Sequence, residues 1–304
     1  MASFQPVTLI VGKERAGDVT SRLNSIDTIF PIALRYTEGD SMDTWLKDFG
    51  PTFVLREPGG ESSLVSVDSN PNDGSHKNHT PTSIALSKTY LQDLQVQRIP
   101  SSIVTEGGAL ETDGEGTLIL TESSIINENR NSNKSRQDIE AELKRTLGVQ
   151  KFIWIPGGKP VNSTDCQIDA LVRFVRPGVV LLSRANERTP TDWTATYREA
   201  RRALLGATDA KGRQLEVHEV EEPSEDVLPP TTPDHGKSRA VRSYVNYLLF
   251  DGGIIVPQFG DPLRDAEAVR TAETLFGGER KVLPVLIEEL PILGGDTYCA
   301  AQDP

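Results

Sequence analysis

Apolar residues along this chain alternate between short continuous runs and runs with helical spacing. Buried strands are predicted where a short apolar run ends at turn residues, at 6–12, 116–122, 151–156 and 178–183. A hairpin is predicted where residues 244–250 and 254–259 are joined through Asp251-Gly252-Gly253. The repeated change from strand to helix favours an α/β fold.

Three of the predicted helices have recognisable ends. Ser135 and Asp138 form a capping pair ahead of the segment IEAELKRTL, and Gly148 follows as the stop. A second helix is expected over about 191–205, and a third over about 262–276, with a proline near its start and a glycine at its end.

Two polar, turn-rich stretches interrupt this pattern, at 68–82 and 221–238. Loops of this length inside a compact domain are usually functional lids or disordered segments. Strand and helix units resume unchanged on both sides of each stretch, so neither resembles a linker between domains. We therefore expect one α/β domain over residues 1–304.

Composition narrows the possible functions. The 304 residues include 32 Lys and Arg against 44 Asp and Glu, a formal charge of −12, which argues against a nucleic-acid partner. No apolar run approaches the roughly 18 residues of a membrane helix, and the start does not resemble a secretion signal.

Two cysteines favour a reducing compartment, so we expect a cytoplasmic protein without membrane contact. Four scattered histidines form no zinc signature, and neither a metal nor a cofactor is expected.

Four residues could carry chemistry, and each also has an ordinary structural explanation. Cys299 follows a Gly-Gly pair closely and could be a nucleophile or a buried structural cysteine. Glu106 precedes another Gly-Gly pair and could face a pocket or lie in a turn. Asp48 precedes Gly50-Pro51 closely and could be a turn former, and Asp169 could face a site or cap a segment.

Taken together and in order, these segments resemble the agmatine deiminases and the related bacterial-type peptidyl-arginine deiminases. The resemblance covers most of the chain and rests on WLKDFGPTFV (45–54), EGGALETDGEGTLILTESSIINENRN (106–131), ELKRTLGVQKFIWIPGG (142–158), RFVRPGVVLLS (173–183), SYVNYLLFDGGIIVPQFGDPLRDAEA (243–268) and LGGDTYCAAQDP (293–304). It implies the fold of that guanidino-modifying group, a five-bladed pseudosymmetric α/β propeller (pentein).

The resemblance also implies a role for each of the four residues. Cys299 would attack the guanidinium carbon, and Asp48 and Asp169 would clamp the guanidinium nitrogens. Glu106 would orient a catalytic histidine. The chemistry is reasonable because carboxylates bind a planar cationic fork through paired hydrogen bonds, and a leaving amine needs a proton donor.

This sequence departs from the family pattern at several of these positions. The family's Gly-His pair, two residues before the second aspartate, is Cys166-Gln167 here, and a glutamine cannot change its protonation state near neutral pH. Lys47 stands where the family has arginine. The substrate-binding residues implied by the resemblance are Gln167, Lys47, Trp45, Gly295 and Asp296.

A histidine-containing loop, 68–80, replaces a tryptophan-rich family segment. His76 or His79 could act as a substitute proton donor because imidazole titrates near neutral pH. The alternative is that both belong to a solvated loop tip.

Two functions stay open at this point. One is a divergent enzyme that acts on a guanidino or amidine group of a small cationic molecule through a Cys299 covalent intermediate, by deimination, amidino transfer or cyclisation. The other is a non-catalytic protein that binds a guanidino ligand. Both require convergence, so we expect the Sγ atom of Cys299 within about 8 Å of a carboxylate oxygen of Asp48 or Asp169. A homodimer is also expected, and the first blade, which is expected to be shortened, is either incomplete or completed by a partner chain.

Overall fold

The computed structural model describes residues 1–37, 43–57, 62–69, 80–127, 130–158, 165–186, 188, 192–224, 226, 242–293, 295 and 297–302. These residues form a mixed α/β fold with five small sheets. The number of sheets fits the five blades expected from the sequence.

Four of these five sheets share one strand order. A first strand pairs antiparallel with a central strand, and a helix then leads to a third strand that lies parallel to the central one. The strands are β1 (Val7–Gly12), β2 (Ile32–Thr37), β3 (Thr52–Arg56), β4 (Ser63–Asp68), β5 (Gln97–Pro100), β6 (Glu111–Thr112), β7 (Thr117–Thr121), β8 (Lys151–Ile155), β9 (Val172–Arg176), β10 (Val179–Arg184), β11 (Glu216–Glu221), β12 (Leu248–Phe250), β13 (Gly253–Gln258) and β14 (Lys281–Leu286). The three-stranded sheets are β3-β4-β5, β6-β7-β8, β9-β10-β11 and β12-β13-β14.

Helices connect the central and third strands of the sheets. The helices are α1 (Ala16–Leu23), α2 (Leu46–Phe49), α3 (Pro81–Asp93), α4 (Glu122–Ile125), α5 (Arg136–Leu147), α6 (Asp192–Leu205) and α7 (Pro262–Phe276). Helices α1, α3, α5, α6 and α7 are the crossovers of the successive sheets, and α5, α6 and α7 pack on sheets through buried apolar residues. The first sheet has two strands, β1 and β2, which pair in parallel.

The helix ends predicted from the sequence are confirmed. The Ser135 side chain accepts from the backbone N–H of Asp138, whose carboxylate in turn accepts from the Ser135 N–H, and Gly148 ends α5 in the left-handed conformation. Helix α7 begins at Pro262 and ends at Phe276, with Gly277 as its cap. Local capping chemistry therefore sets these boundaries.

The predicted hairpin is present, but its first strand is shorter than expected. Residues 248–250 pair antiparallel with β13, whereas residues 244–247 form a buried turn that precedes the strand. An apolar run alone does not distinguish a buried turn from a buried strand. This difference matters because Asn246, within that turn, contacts Cys299.

Buried apolar residues lie between helices and sheets and also between neighbouring sheets. One cluster joins Ile119 of β7 to Val180 of β10, and another joins Leu181 of β10 to Ile254 of β13. The first sheet contributes little to this packing, because Val11 is the one apolar side chain that is buried among residues 1–37. The cores are thus shared between consecutive units.

Contacts at two places join parts of the chain that are far apart in sequence. The Phe4 ring packs on Phe250, with ring centroids 5.3 Å apart, and the Gln5 side chain accepts a hydrogen bond from the backbone of Asp251. The backbone N–H of Lys47 donates to the carbonyl of Cys299 at 2.9 Å. The first contact joins the segment before β1 to the β12–β13 turn, and the second joins the turn around Cys299 to α2.

No helix within the described part of the chain is long and apolar enough to span a membrane.

Candidate active site

Four separate segments bring three carboxylates and a thiol into the interior. Asp48 lies on α2, and Glu106 directly precedes a short 3-10 turn at Gly107–Ala109. Asp169 lies in a second 3-10 turn, Ile168–Ala170, and Cys299 lies in a turn after β14. All four side chains are buried.

The thiol of Cys299 lies next to a carboxylate. Its Sγ atom is 3.6 Å from Oδ2 of Asp169 and donates to it. The Asn246 side chain contacts the same Sγ at 3.7 Å and accepts from the backbone N–H of Tyr298 at 3.0 Å, which fixes the turn that carries the cysteine. The expectation of a carboxylate within about 8 Å is confirmed.

Gln167 links the Cys299–Asp169 pair to Asp48. Its Nε2 donates to Oδ1 of Asp48 at 3.3 Å. Gly108 lies beneath Gln167 and Asp169, because a Cβ atom at position 108 would lie 2.7 Å from Gln167 Oε1 and 2.9 Å from Asp169 Oδ2. The second glycine of the Gly-Gly motif therefore permits the close approach of these two side chains, whereas a Cβ at Gly107 would lie 2.5 Å from the carbonyl oxygen of Lys47.

Glu106 is held by an arginine. The Nε of Arg130 lies 3.0 and 2.9 Å from the two Glu106 carboxylate oxygens, and its Nη1 contacts Asp165. Asp165 and Cys166 adopt positive φ angles of 52° and 64°, an unfavourable conformation for residues with a side chain. Arg130 thus ties the loop that carries Gln167 to the turn that follows Glu106.

A second group of charges surrounds Tyr298, the neighbour of Cys299. The guanidinium carbon of Arg173 lies 3.8 Å from the Tyr298 ring centroid, and Lys47 Nζ lies 4.3 Å from it. The Arg173 side chain also forms a buried ion pair with Glu111 at 2.8 Å. Two cations therefore lie close to the site, on the side of Asp169.

Burial makes the two aspartates weaker acids than they are in water. It raises the pKa of Asp48 well above its usual value, and the charges of Glu106 and Asp169 raise it further. Burial also raises the pKa of Asp169, to about 6, while Arg173 and Lys47 act in the opposite direction. A cation bound between the two carboxylates would lower both pKa values.

The whole chain matches the model of one protein family. Residues 1–304 match the family described as Porphyromonas-type peptidyl-arginine deiminase. The agmatine deiminase of Pseudomonas fluorescens (strain SBW25) is 34% identical over 317 residues, which cover 99% of this chain and 83% of the relative. The agmatine deiminase of Medicago truncatula is 35% identical over 331 residues, with 99% and 84% covered.

This chain belongs to the Porphyromonas-type peptidyl-arginine deiminase family. Members of this family are guanidino-modifying, hydrolase-like enzymes, and the resemblance inferred from the sequence is confirmed. Among solved structures, the agmatine deiminase of Enterococcus faecalis superposes with a TM-score of 0.85 at 26% identity, covering 98% of this chain and 83% of that one. A putative arginine deiminase from Porphyromonas gingivalis shares the fold, with a TM-score of 0.81 at 23% identity, covering 99% and 85%.

The family-derived positions fall into two groups in the structure. Asp48, Glu106, Gln167 and Asp169 meet around Gly108 and Arg130, with Cys299 beside Asp169, as described above. Two others pack together at the edge of this group, since a Cβ at Gly295 would lie 2.5 Å from the Trp45 ring. Lys47 is half-buried and contacts Tyr298. Asp296, His76 and His79 lie outside the described residues.

Sequence reasoning missed three residues that this family member uses to organise its site. Arg130 falls in a polar stretch without periodicity, and Asn246 falls in an apolar run interpreted as strand. Arg173 was noted only as part of a matching segment. For Asn246 and Arg173 the one available signal was a polar residue within an otherwise apolar run. Such a residue indicates a buried polar contact, because buried polar groups need partners.

Among the described residues, no group of three or more His, Cys, Asp or Glu side chains is arranged to hold a metal ion.

Proposed function

We propose that this chain binds the guanidino or amidine group of a small cationic molecule between Asp48 and Asp169 and attacks its central carbon with Cys299. The observation that carries the proposal is the 3.6 Å contact between Cys299 Sγ and Asp169 Oδ2 in a buried, acidic environment. A carboxylate in this position can accept the thiol proton and hold a guanidinium nitrogen. A protein that only binds would not need a thiol there.

In the first step a carbon–sulfur bond forms between Cys299 and the guanidinium carbon. The thiol proton passes to Asp169 and from there to a terminal nitrogen of the ligand, and that carbon–nitrogen bond breaks to release ammonia. Thiol and guanidinium cation together become ammonia and a cationic S-amidino adduct, so atoms and charge balance. The adduct keeps its positive charge beside Asp48 and Asp169.

The second step decides between hydrolysis and transfer. Attack of water on the adduct would return the thiol and release a ureido product and a proton, whereas attack by an amine would transfer the amidino group or close a ring. Gln167, which by the resemblance occupies the position of the family histidine, cannot take the proton from water. We therefore infer that hydrolysis is slow and that the adduct accumulates unless an amine is present.

A second candidate is a binding protein without turnover. It is favoured by Arg130, whose Nε–H is shared between the two carboxylate oxygens of Glu106, because this contact competes with one that would orient an acid–base group. In this case the aspartates would bind the guanidinium while Cys299 remains unmodified.

Intact-protein mass spectrometry with agmatine distinguishes the two. The enzyme predicts a mass increase equal to that of the ligand less ammonia, absent from Cys299→Ala. The binding protein predicts saturable heat of binding in calorimetry without a mass change. If neither a mass increase nor heat of binding is observed with agmatine, arginine or an amidine, both candidates are contradicted.

We also infer that the five sheets close into the propeller of the pentein group. The contacts of Phe4 and Gln5 with the β12–β13 turn support closure, since they join the first unit to the fifth. A single domain, a cytoplasmic location, a homodimer and the proton-donor role of His76 or His79 stay predictions.

A further inference from the structure

Asn246 contacts the nucleophile of the proposed reaction directly. Its Nδ2 lies 3.7 Å and its Oδ1 lies 3.8 Å from the Sγ atom of Cys299. The residue is completely buried, which is uncommon for asparagine unless its amide has hydrogen-bond partners. What the contact does for the thiol depends on which end of the amide faces the sulfur.

One backbone hydrogen bond decides how this amide is oriented. The backbone N–H of Tyr298 donates to Oδ1 of Asn246 at 3.0 Å. If the two ends of the amide were exchanged, its NH2 group would face that N–H and two donors would meet. Nδ2 therefore points towards the thiol, and it also donates to the backbone carbonyl of Asp169 at 3.4 Å.

The turn that carries Asn246 is anchored on both sides of this residue. Tyr244 Oη donates to Oδ1 of Asp265 at 2.8 Å, and Tyr247 Oη donates to the carbonyl of Phe174 at 3.0 Å. Both tyrosines are buried. The amide is thus held in place before any reaction begins, which is the condition under which a donor best stabilises a developing charge.

The proton shared by Cys299 and Asp169 has two alternative positions, and Asn246 lies next to both. The negative charge is on the carboxylate while the thiol keeps its proton, and on the sulfur once that proton has moved. Burial raises the pKa of Asp169 to about 6, and a hydrogen bond from Asn246 acts against burial. Because the amide does not titrate near neutral pH, it can donate in either state. Other titratable or charged groups that interact with the Asp169 carboxylate are Arg173, Lys47, Asp48 and Cys166.

We propose that Asn246 is a catalytic residue whose Nδ2–H donates to the sulfur of Cys299 and stabilises the thiolate that attacks the guanidinium carbon. This role rests on the proposed function, whereas the contact with the thiol is present in the protein without ligand. In this step the thiol proton moves to Asp169, the negative charge moves from oxygen to sulfur, and the amide keeps both of its protons. A residue that only shaped the turn would need Oδ1 alone.

Three substitutions separate the donor from the turn. Asn246→Asp keeps an acceptor for the Tyr298 N–H but removes the donor at the sulfur. Asn246→Leu has a similar size and removes both ends of the amide without adding charge. Ser243→Ala is the matched control, because the Ser243 hydroxyl donates to the carbonyl of Ala170 at 2.7 Å and so joins the same segments through a different contact.

The ultraviolet absorbance of the thiolate titrates Cys299 without ligand, as the difference between each protein and its own Cys299→Ala counterpart. We expect Asn246→Leu to raise the midpoint by at least roughly one pH unit, because a donor to a charged group is lost, and Asn246→Asp to raise it further. Ser243→Ala should titrate like the wild type. An unchanged midpoint in Asn246→Leu or Asn246→Asp, or an equal shift in Ser243→Ala, would overturn the inference.

A measurement on the unaltered chain covers the case in which the Asn246 variants do not fold. In an NMR spectrum of the wild type, one asparagine side-chain amide should shift with the same midpoint as the Cys299 absorbance. In Cys299→Ala no asparagine amide should shift in this way. A wild type in which no asparagine amide follows the thiolate would also overturn the inference.

Agmatine separates this role from the proposed function itself. Formation of the S-amidino adduct, measured by mass spectrometry, should be at least roughly tenfold slower in Asn246→Leu, while affinity for agmatine in the Cys299→Ala background changes less than roughly threefold. Equal adduct rates in the wild type and Asn246→Leu would overturn the catalytic role alone. If the wild type forms no adduct, the covalent reaction is contradicted and the catalytic role with it, even where the titration shows that the amide donates to the thiolate.

Discussion

The amide of Gln167 donates a hydrogen bond to Asp48, across 3.3 Å between Nε2 and Oδ1. The two residues come from different units of the fold, so this contact joins the loop before Asp169 to helix α2. An amide in this position stabilises the ionised aspartate but cannot exchange a proton with the ligand. The contact therefore favours binding of a cation over acid–base catalysis.

Replacement of Gln167 by histidine is expected to increase the release of ammonia. Imidazole titrates near neutral pH and could both protonate the leaving nitrogen and activate water, which contributes roughly 100-fold in well-placed cases. A coupled ammonia assay with agmatine compares the parent, Gln167→His and Cys299→Ala. Gln167→Asn is the control for altered packing. Equal, substantial release from the parent and Gln167→His would indicate that another group donates the proton.

Guanidinium binding should release protons near neutral pH. Before a ligand binds, burial raises the pKa of Asp48 and raises that of Asp169 to about 6. A bound cation favours both ionised forms, so it lowers both pKa values and affinity rises with pH. Glu106 opposes the ionisation of Asp48, while Arg130 favours it and Arg173 and Lys47 favour that of Asp169.

Calorimetry in buffers of different ionisation enthalpy measures this proton release directly. Asp48→Asn should reduce it and weaken binding. Proton uptake at pH 7, or an affinity that does not change between pH 5 and pH 8, would contradict a site formed by these two carboxylates.

Asp169→Asn should stabilise the protein without ligand above about pH 6. The folded-state pKa of Asp169, about 6, is above the value near 4 expected in the unfolded chain. Below pH 4 both states are protonated and the substitution changes little. As pH rises from about 4 to about 6, the unfolded state ionises first and the folded wild type loses stability. The variant should therefore gain up to about 3 kcal/mol in free energy of unfolding at pH 8.

Urea unfolding at pH 4 and pH 8 provides the comparison, with Asp165→Asn as a control that removes a carboxylate from a different contact. A stability difference independent of pH would be inconsistent with a titration effect. Asp169→Asn should also lose guanidinium binding, because it removes one of the two carboxylates that would hold the ligand.

Arg130→Met should destabilise the fold by about 3 kcal/mol or more, because it removes the positive charge that compensates the buried carboxylate of Glu106. Arg130→Lys keeps the charge but cannot contact Glu106 and Asp165 through one planar guanidinium, and we expect an intermediate loss of stability. Thermal unfolding measures both. If the double variant Arg130→Met, Glu106→Gln is no more stable than Arg130→Met alone, the ion pair is not the cause.

Gly108→Ala tests whether the site depends on close approach to the backbone. The added methyl group would displace Gln167 and Asp169, so guanidinium affinity should fall at least roughly tenfold with a smaller loss of stability. Gly278→Ala is the matched control, because a Cβ there meets no atom within 4 Å. If the Gly108→Ala variant binds guanidinium as tightly as the wild type, Gly108 does not lie at the binding site.

Prediction from the sequence was most successful where structure is local. Helix α7 was predicted with its bounds because a proline, an apolar stripe and a glycine lie within one short segment. Strand β2 and helix α3 were not predicted, since the former has a mixed apolar pattern and the latter follows a long polar stretch. Short strands such as β6, with two residues, depend on pairing rather than on their own sequence.

The same difference between local and long-range structure applies to the residues of the candidate site. The resemblance to the family indicates Cys299 and Asp169, whereas the contacts of Arg130 with Glu106 and Asp165 involve residues that are separated in sequence and have no common spacing. Such pairs arise from packing between units, and periodicity within one segment contains no information about them.

The hydrogen bond from Lys47 to the carbonyl of Cys299 has a consequence for how the protein acquires its site. Cys299 is synthesised after Asp169, Asn246 and Lys47, which it contacts, and its turn docks on a helix that is made much earlier. Contacts between residues so far apart form late and slowly, since a large loop must close first. During refolding, helical circular dichroism should therefore recover before a guanidinium probe can bind, and the delay between the two signals measures the docking of this turn.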